Sequence, residues 1–149
     1  MINPPSFSDL TLEDLLPQRG DMLLIQKVLE ADRSEARTLC RPKPSWPMAD
    51  AKGVPPLILV ELAAQTAGVC NGWDRIQAKG MGSDSMGWIV GIKKAEFSVD
   101  HLPFDCDIIS WAKNTFCFDN LREVDCEQHI DGQLISRITL QLFQAKTDE

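Results

Sequence analysis

Histidine is scarce in this chain: His101 and His129 are the only two among 149 residues, and none precedes Asp100. Cysteine occurs five times, at Cys40, Cys70, Cys106, Cys117 and Cys126. An odd number of cysteines without C-x-x-C spacing, beside so few histidines, indicates neither a disulfide framework nor a structural metal, and no cofactor is called for. No run of about eighteen apolar residues occurs, so membrane insertion is not expected. The start, Met1 to Pro5, lacks a basic region followed by an apolar stretch, and a cytoplasmic location is expected, with the thiols as small buried hydrophobes in a reducing compartment. Positive charge is in deficit too. Fifteen Lys and Arg face 22 Asp and Glu, a net charge of -7 that repels a phosphate backbone and argues against nucleic acid as a partner. An acidic macromolecule would need a local basic patch. Lys93 and Lys94, then Arg75 and Lys79, are the candidates, although solvated surface cations explain them as well.

With 44% hydrophobic and 25% charged residues, the chain has the composition of one globular domain spanning residues 1–149, without internal repeats or low-complexity tracts. Thr11 to Leu16 opens with a capping threonine, carries acids in its first turn and is stopped by Pro17, which predicts a short helix. Leu23 to Ala31 and Ser34 to Cys40 read as two strands joined at Asp32-Arg33, and the proline-rich stretch from Arg41 to Pro56 as an irregular loop. Pro55-Pro56 presets the start of a long helix from Leu57 to about Ala78, apolar on nearly every side and therefore buried all round. Four more strands are expected at Gly87 to Phe97, Asp107 to Phe118, Arg122 to Ile130 and Gln133 to Ala145, the last pair joined by the hairpin signal Asp131-Gly132. Six strands and one long buried helix fit an α+β fold in which an antiparallel sheet wraps the helix. The open edges of such a sheet are commonly covered by a second copy, so a dimer is expected.

Several segments carry a resemblance. Leu16-Pro17-Gln18-Arg19 before an aliphatic strand resembles the leucine-proline-histidine-arginine segment of 3-hydroxyacyl-(acyl carrier protein) dehydratases, with Gln18 in the place of histidine. Pro55-Pro56 followed by Glu61-Leu62-Ala63-Ala64-Gln65 is similar to that family's proline-glycine helix start and its glutamate-x-x-alanine-glutamine motif, with Pro56 for the glycine. Pro103-Phe104-Asp105 is similar to its proline-glycine-aspartate turn. Ala49-Asp50-Ala51-Lys52-Gly53, Gln65-Thr66-Ala67-Gly68-Val69 and Gly72-Trp73 resemble the dehydratase-like subgroup of aryl-polyene biosynthesis. The resemblance runs from Leu15 to Ala145 and implies a hot-dog fold. It also implies an acyl thioester substrate carried by acyl carrier protein or coenzyme A, and a homodimer or a heterodimer with a second hot-dog dehydratase subunit.

Dehydrating a 3-hydroxyacyl thioester needs a base for the α-proton and an acid for the departing hydroxyl. In the family a histidine and a helix carboxylate share this work, on opposite subunits. The family's spacing back from Glu61 falls at Pro47, beside Trp46 and Met48, so the histidine is missing. Glu61 becomes the candidate catalytic residue. A carboxylate between Val60 and Leu62 is costly to desolvate, which suits a general acid; a buried helix carboxylate satisfied by a backbone amide or an arginine is the structural alternative. Gln65, Gly68 and Gly72 share its helix face, a stripe that could front an acyl channel. Gln65, Leu57, Ile58, Gly68 and Trp46 are the candidate substrate-binding residues, with N–H groups from Leu57 onward available to polarise the thioester carbonyl. Gly68 is equally explained by close helix packing. His101 as a replacement base is disfavoured by its place in a turn. The implied function is a dehydratase subunit whose partner supplies histidine. The alternatives are a catalytically silent acyl-binding partner and an acyl thioesterase, which needs only a helix carboxylate and water.

Overall fold

The computed structural model describes residues 6–144; the absence of a targeting signal read from Met1 to Pro5 and the strand end placed at Ala145 lie outside them. Thr11 caps helix α1 (Leu12–Leu15): its side chain accepts the Asp14 N–H, and the Asp14 carboxylate returns the bond to the Thr11 N–H. Strands β1 (Lys27–Ala31) and β2 (Glu35–Cys40) precede helix α2 (Ile58–Lys79). Then come β3 (Gly87–Phe97), β4 (Ile108–Phe118), β5 (Leu121–Ile130) and β6 (Gln133–Gln144). All six strands form one antiparallel sheet in the order β1-β2-β4-β5-β6-β3. Asp131 and Gly132 both take positive φ, 51° and 76°, as the two-residue hairpin between β5 and β6 requires.

The core lies between α2 and the middle of the sheet, where Leu59, Leu62, Ala63, Val69, Ile108, Ala112, Val124 and Leu140 are fully enclosed. The helix is not buried on every side, as its composition suggests: Glu61, Ala64 and Gly68 form a half-buried strip along one face. Beneath the helix a polar row crosses four strands. Thr38, Ser110, Gln128 and Ser136 stand opposite one another in register, all with almost no exposure. Thr66 of α2 joins them: its Oγ1 donates to the Leu62 carbonyl at 2.8 Å and meets Thr38 Oγ1 at 3.1 Å and Ser110 Oγ at 2.9 Å. Gln128 Nε2 donates to Ser110 Oγ at 3.1 Å, and the Ser136 hydroxyl donates to Gln128 Oε1. Every buried hydroxyl and amide in the row thereby finds a partner, without which burial would be unfavourable.

The expected first strand begins four residues late. Gln65 holds the chain ahead of it: Leu24 N–H donates to Gln65 Oε1 at 2.9 Å, and Gln65 Nε2 donates to the Met22 carbonyl at 2.7 Å. These backbone groups are withdrawn from the ladder, which opens only at Gln26 N–H to the Leu39 carbonyl.

Two helix glycines let the chain after α1 lie on α2. A Cβ on Gly72 would stand 2.5 Å from the Leu15 carbonyl oxygen, a backbone atom; one on Gly68 would stand 2.6 Å from Leu16 Cδ2, the free end of a side chain. Overpacking costs about 1–3 kcal/mol, against about 1 kcal/mol gained by removing a helix glycine. Gly72→Ala is therefore expected to lower stability in urea denaturation by about 1–2 kcal/mol, whereas Gly68→Ala is close to neutral because Leu16 can rotate away.

The edges of the sheet differ. β1 is five residues long and carries Lys27 and Glu30, the latter paired with Arg37 at 3.1 Å. β3 is eleven residues long, exposed along nearly its whole length, and apolar at Trp88, Ile89, Val90 and Ile92. Its pairing with β6 slips at Val90 and again at Lys93, so each adds an extra residue. These bulges bring Ile89, Ile92 and Ala95 opposite Leu142, Leu140 and Ile138 on the helix side of the sheet, three residues apart rather than two. The helix stops short of them, leaving Ile92 52% exposed.

Candidate functional site

The site is assembled from the first turns of α2 and the chain that follows α1. Arg19 folds back over α1, donating to the carbonyls of Glu13 at 3.0 Å, Leu16 at 2.6 Å and Gln18 at 2.9 Å, which closes the open C-terminal end of that helix and fixes Gln18 beside α2. Gln18 Nε2 then donates to Glu61 Oε1 at 3.3 Å. One helical turn on from Glu61, Gln65 Nε2 donates to the same oxygen at 3.0 Å. Glu61 is thus held by two neutral amides, with neither an arginine nor a backbone N–H as its partner, and its Oε2 has no partner among the described residues. Gln65, 1% exposed, spends both amide hydrogens within the chain, on Met22 and Glu61, and accepts from Leu24 through its oxygen. It orients the carboxylate and anchors the entry to β1 at once.

Glu61 opens onto a cavity of about 310 Å³ between α2, the end of α1, the start of β3 and the end of β6. Pockets for small ligands run from about 300 to 1,000 Å³, so the space in one protomer is at the low end of that range. Gln65, Gly68 and Gly72 line it with Glu61, while Leu16, Trp88, Ile89, Leu142 and Phe143 give it an apolar wall. The same helix stripe, continued one turn beyond Gly72, reaches Arg75, and Arg122 of β5 stands with it. Arg75 is 4% exposed and donates to the carbonyl and hydroxyl of Ser83 and to the Asp14 carbonyl; desolvation pulls its guanidinium below the ordinary arginine range. Arg122 pairs with Asp74 at 3.1 Å, and Asp74 is shared with Arg33. Three buried side-chain polar atoms lack a partner among the described residues: Gln18 Oε1, Arg122 Nε and Asn114 Oδ1. The first two belong to the cavity wall, and Asn114 donates to a third wall residue, Asn71, at 2.7 Å.

The other sequence candidates lie elsewhere. Trp46 and Ile58, 5% and 4% exposed, are packed in the core, and Leu57 is 58% exposed at the cap of α2; none lines the cavity of one protomer. The N–H groups of Ile58, Leu59 and Val60 donate to the carbonyls of Pro55, Pro56 and Leu57, so the tight first turn has already taken three of the donors expected to polarise a thioester, and of that turn only the Leu57 N–H lacks an acceptor among the described residues. His101 is nearer the helix than its sequence position suggests, since Leu102 bridges Val54; its Nε2 lies 3.9 Å from Asp50, exposed and outside the cavity. His129 is on β5 opposite Ile109. Of the four cations expected to make a basic docking patch, Lys93 and Lys94 pair with Glu123 and Glu96, Arg75 is enclosed, and Lys79 is exposed in the last turn of α2. Arg75 could have been found as a cavity residue by extending the spacing of Glu61, Gln65, Gly68 and Gly72 by one step; Arg122, remote in sequence, gave no such signal.

All five cysteines are free thiols. Burial pushes Cys70 up to about 12 and raises Cys40 and Cys126 as well, which makes these three inert hydrophobes. No group of three or more potential metal ligands occurs among the described residues, and no helix there is long and apolar enough to cross a membrane.

Comparison with solved structures identifies the architecture as the hot-dog fold. A chain of the dehydratase heterocomplex ApeI:P from Xenorhabdus doucetiae superposes with a TM-score of 0.82 at 17% identity, covering 93% of each chain. Cj0977, a sigma28-regulated virulence protein of Campylobacter jejuni, gives 0.67 at 16% identity over 92% of this chain and 98% of its own. The PaaI protein of the E. coli phenylacetic acid degradation operon gives 0.59 at 9% identity over 79% and 82%. No curated protein matches the sequence. Residues 10–149, nearly the whole chain, match the family described as ApeP-like, ApeP dehydratase, and the chain belongs to that ApeP-like dehydratase family.

Proposed function

We propose that this chain is one subunit of a dehydratase acting on carrier-bound 3-hydroxyacyl thioesters, contributing Glu61 as the acid while a second hot-dog subunit contributes the histidine. The observation that carries this reading is the Glu61 carboxylate on the wall of a largely apolar cavity, oriented by Gln18 and Gln65, with no histidine beside it. In the reaction the partner's base takes the α-proton, the bond from Cβ to the hydroxyl breaks, and Glu61 delivers a proton to the departing oxygen, giving an enoyl thioester and water. The apolar wall of Leu16, Trp88 and Phe143 suits an acyl chain.

The sheet supports a place for the partner at one edge. β3 is the long, exposed, apolar edge, and its uncovered helix-side residues Ile89, Ile92 and Ala95 extend the core surface beyond α2. A second hot-dog subunit pairing there continues the sheet and roofs the cavity, whose wall includes the start of β3. Assembly as a dehydratase heterocomplex by the ApeI:P relative supports a heterodimer over a homodimer. In such a dimer one composite site joins the partner's histidine to Glu61, and the other joins Trp46-Pro47 of this chain to the partner's acid and is inactive.

Acid or base assistance from a positioned side chain contributes about 10²–10⁴-fold. The purified chain alone is therefore expected to form enoyl thioester from 3-hydroxyacyl thioesters about 10²–10⁴-fold more slowly than the same chain mixed with a histidine-bearing hot-dog subunit. Equal rates with and without the partner would refute the division of labour, and release of free thiol and acid would identify a thioesterase instead.

A further inference from the structure

The cavity has a polar end that dehydration does not use. Arg75 forms no ion pair among the described residues; its bonds go to neutral acceptors, the carbonyl and hydroxyl of Ser83 and the carbonyl of Asp14. Arg122 has one carboxylate, Asp74, which it shares with Arg33, and its buried Nε–H has no acceptor. Two guanidinium groups on one wall thus have a single divided carboxylate at bonding distance, with Asp84 acting on Arg75 only through its charge from farther off, in a place that water reaches poorly. Asn71, also on the wall, is engaged by an Asn114 amide whose own oxygen is unpartnered. Unpartnered buried polar atoms are uncommon in folded proteins. Here every such atom among the described residues belongs to the cavity wall or to a neighbour bonded to it. A ligand that supplied an acceptor would resolve the imbalance at the arginine end.

We propose that Arg122, supported by Arg75, forms a subsite for a hydrogen-bond-accepting group, a carboxylate or a hydroxyl, at the tip of the acyl chain remote from the thioester. The inference rests on reading the cavity as an acyl channel with chemistry at Glu61. Arg75 lies about four helical turns from Glu61, about 20 Å at 1.5 Å per residue, so what reaches both ends is a chain and not a small acid. The depth also separates this site from a docking site for the carrier. A phosphate on the carrier's arm stays tethered outside, whereas Arg75 is 4% exposed and the Arg122 side chain 15%. A planar guanidinium with a free Nε–H is suited to directional bonding with an oxygen acceptor.

The test uses non-hydrolysable thioether analogues of acyl-pantetheine with equal chains of about eighteen carbons, long enough to span about 20 Å, ending in carboxylate, hydroxyl or methyl, titrated calorimetrically into the purified chain and into its complex with a hot-dog partner. The expected result is a preference of about tenfold or more for at least one polar-ended chain over the methyl-ended one. Preference for carboxylate assigns an anion to the subsite; equal preference for carboxylate and hydroxyl assigns a neutral acceptor. Arg122→Gln should erase the preference between polar-ended and methyl-ended chains, and Arg122→Lys, which keeps the charge and the Asp74 pair, should retain part of it; a melting curve of each variant checks the fold. Binding of all three analogues without preference, or a preference that survives Arg122→Gln, overturns the subsite and leaves the acyl channel standing. Binding of none overturns both.

Discussion

Replacing Glu61 by glutamine is expected to reduce enoyl-thioester formation by the assembled dimer by about 10²–10⁴-fold while leaving assembly intact. Glutamine keeps the shape and retains an oxygen in the place of Oε1, so the amide donors of Gln18 and Gln65 keep their acceptor. What is lost is the proton that can be handed to the leaving hydroxyl. Alanine is a poorer probe, because it strands both donors; an unpaired buried donor costs about 1–3 kcal/mol, and a loss of activity would then be mixed with a loss of structure. The comparison is product formation by the mixed dimer carrying wild-type or Glu61→Gln chains, with the dimer fraction measured in parallel. Unchanged turnover would move all of the chemistry to the partner and leave this chain as a scaffold.

Ile92→Lys is expected to abolish the dimer at micromolar concentration and dehydration with it. Ile92 is 52% exposed in one protomer, so a lysine there is solvated and the folded subunit loses little. In a dimer built on β3 the same position is enclosed against the partner, and the lysine must either lose its hydration or prevent the close approach. Interface residues of this kind cost about 2–4 kcal/mol on truncation, and an unpaired charge is worse than truncation, so weakening of association by 100-fold or more is expected. Sedimentation velocity of Ile92→Lys against wild type reads the effect, with Leu29→Lys on the opposite edge as a control expected to assemble normally. A dimer that tolerates Ile92→Lys and fails with Leu29→Lys would place the interface on β1.

The fold was legible where local chemistry and tertiary structure agree. The threonine cap of α1, the Pro55-Pro56 start of α2 and the Asp131-Gly132 turn each specify their own geometry, and the structure has an element boundary at each. Sequence reasoning failed where a backbone group answers to a residue far away. The first strand is short because the Gln65 amide, more than forty residues downstream, takes the Leu24 N–H and the Met22 carbonyl. The bulges at Val90 and Lys93 are invisible in the run Gly87 to Phe97 because they depend on what β6 presents opposite. The same division holds in the site. Glu61, Gln65 and Gly68 share a helix face at fixed spacing, and the cavity lies along that face. Trp46 was singled out by the family's spacing and Leu57 and Ile58 by the N–H groups at the start of the helix, and a single chain encloses Trp46 and Ile58 in its core. The Arg122 guanidinium reaches the cavity through the cross-strand register, which no local window contains.

The polar row under α2 bears on how the chain finds its register while folding. Two of the five strand pairings, β2 with β4 and β3 with β6, join segments distant in sequence, and such pairings form slowly, with time for strands to align wrongly. A slip of one residue is punished at once, because it turns every apolar side chain outward. A slip of two keeps the alternation intact, and hydrophobicity is nearly blind to it. The row is not blind: two residues along the same face of β2, β4, β5 and β6 stand apolar Ala36 and Cys40, Ile108 and Ala112, Cys126 and Ile138. A double slip would set Ser110 or the Gln128 amide against these instead of against each other, at about 1–3 kcal/mol for each group stranded. The hydroxyls and the single amide act as a vernier on the sheet, selecting among alignments that the greasy pattern alone would accept.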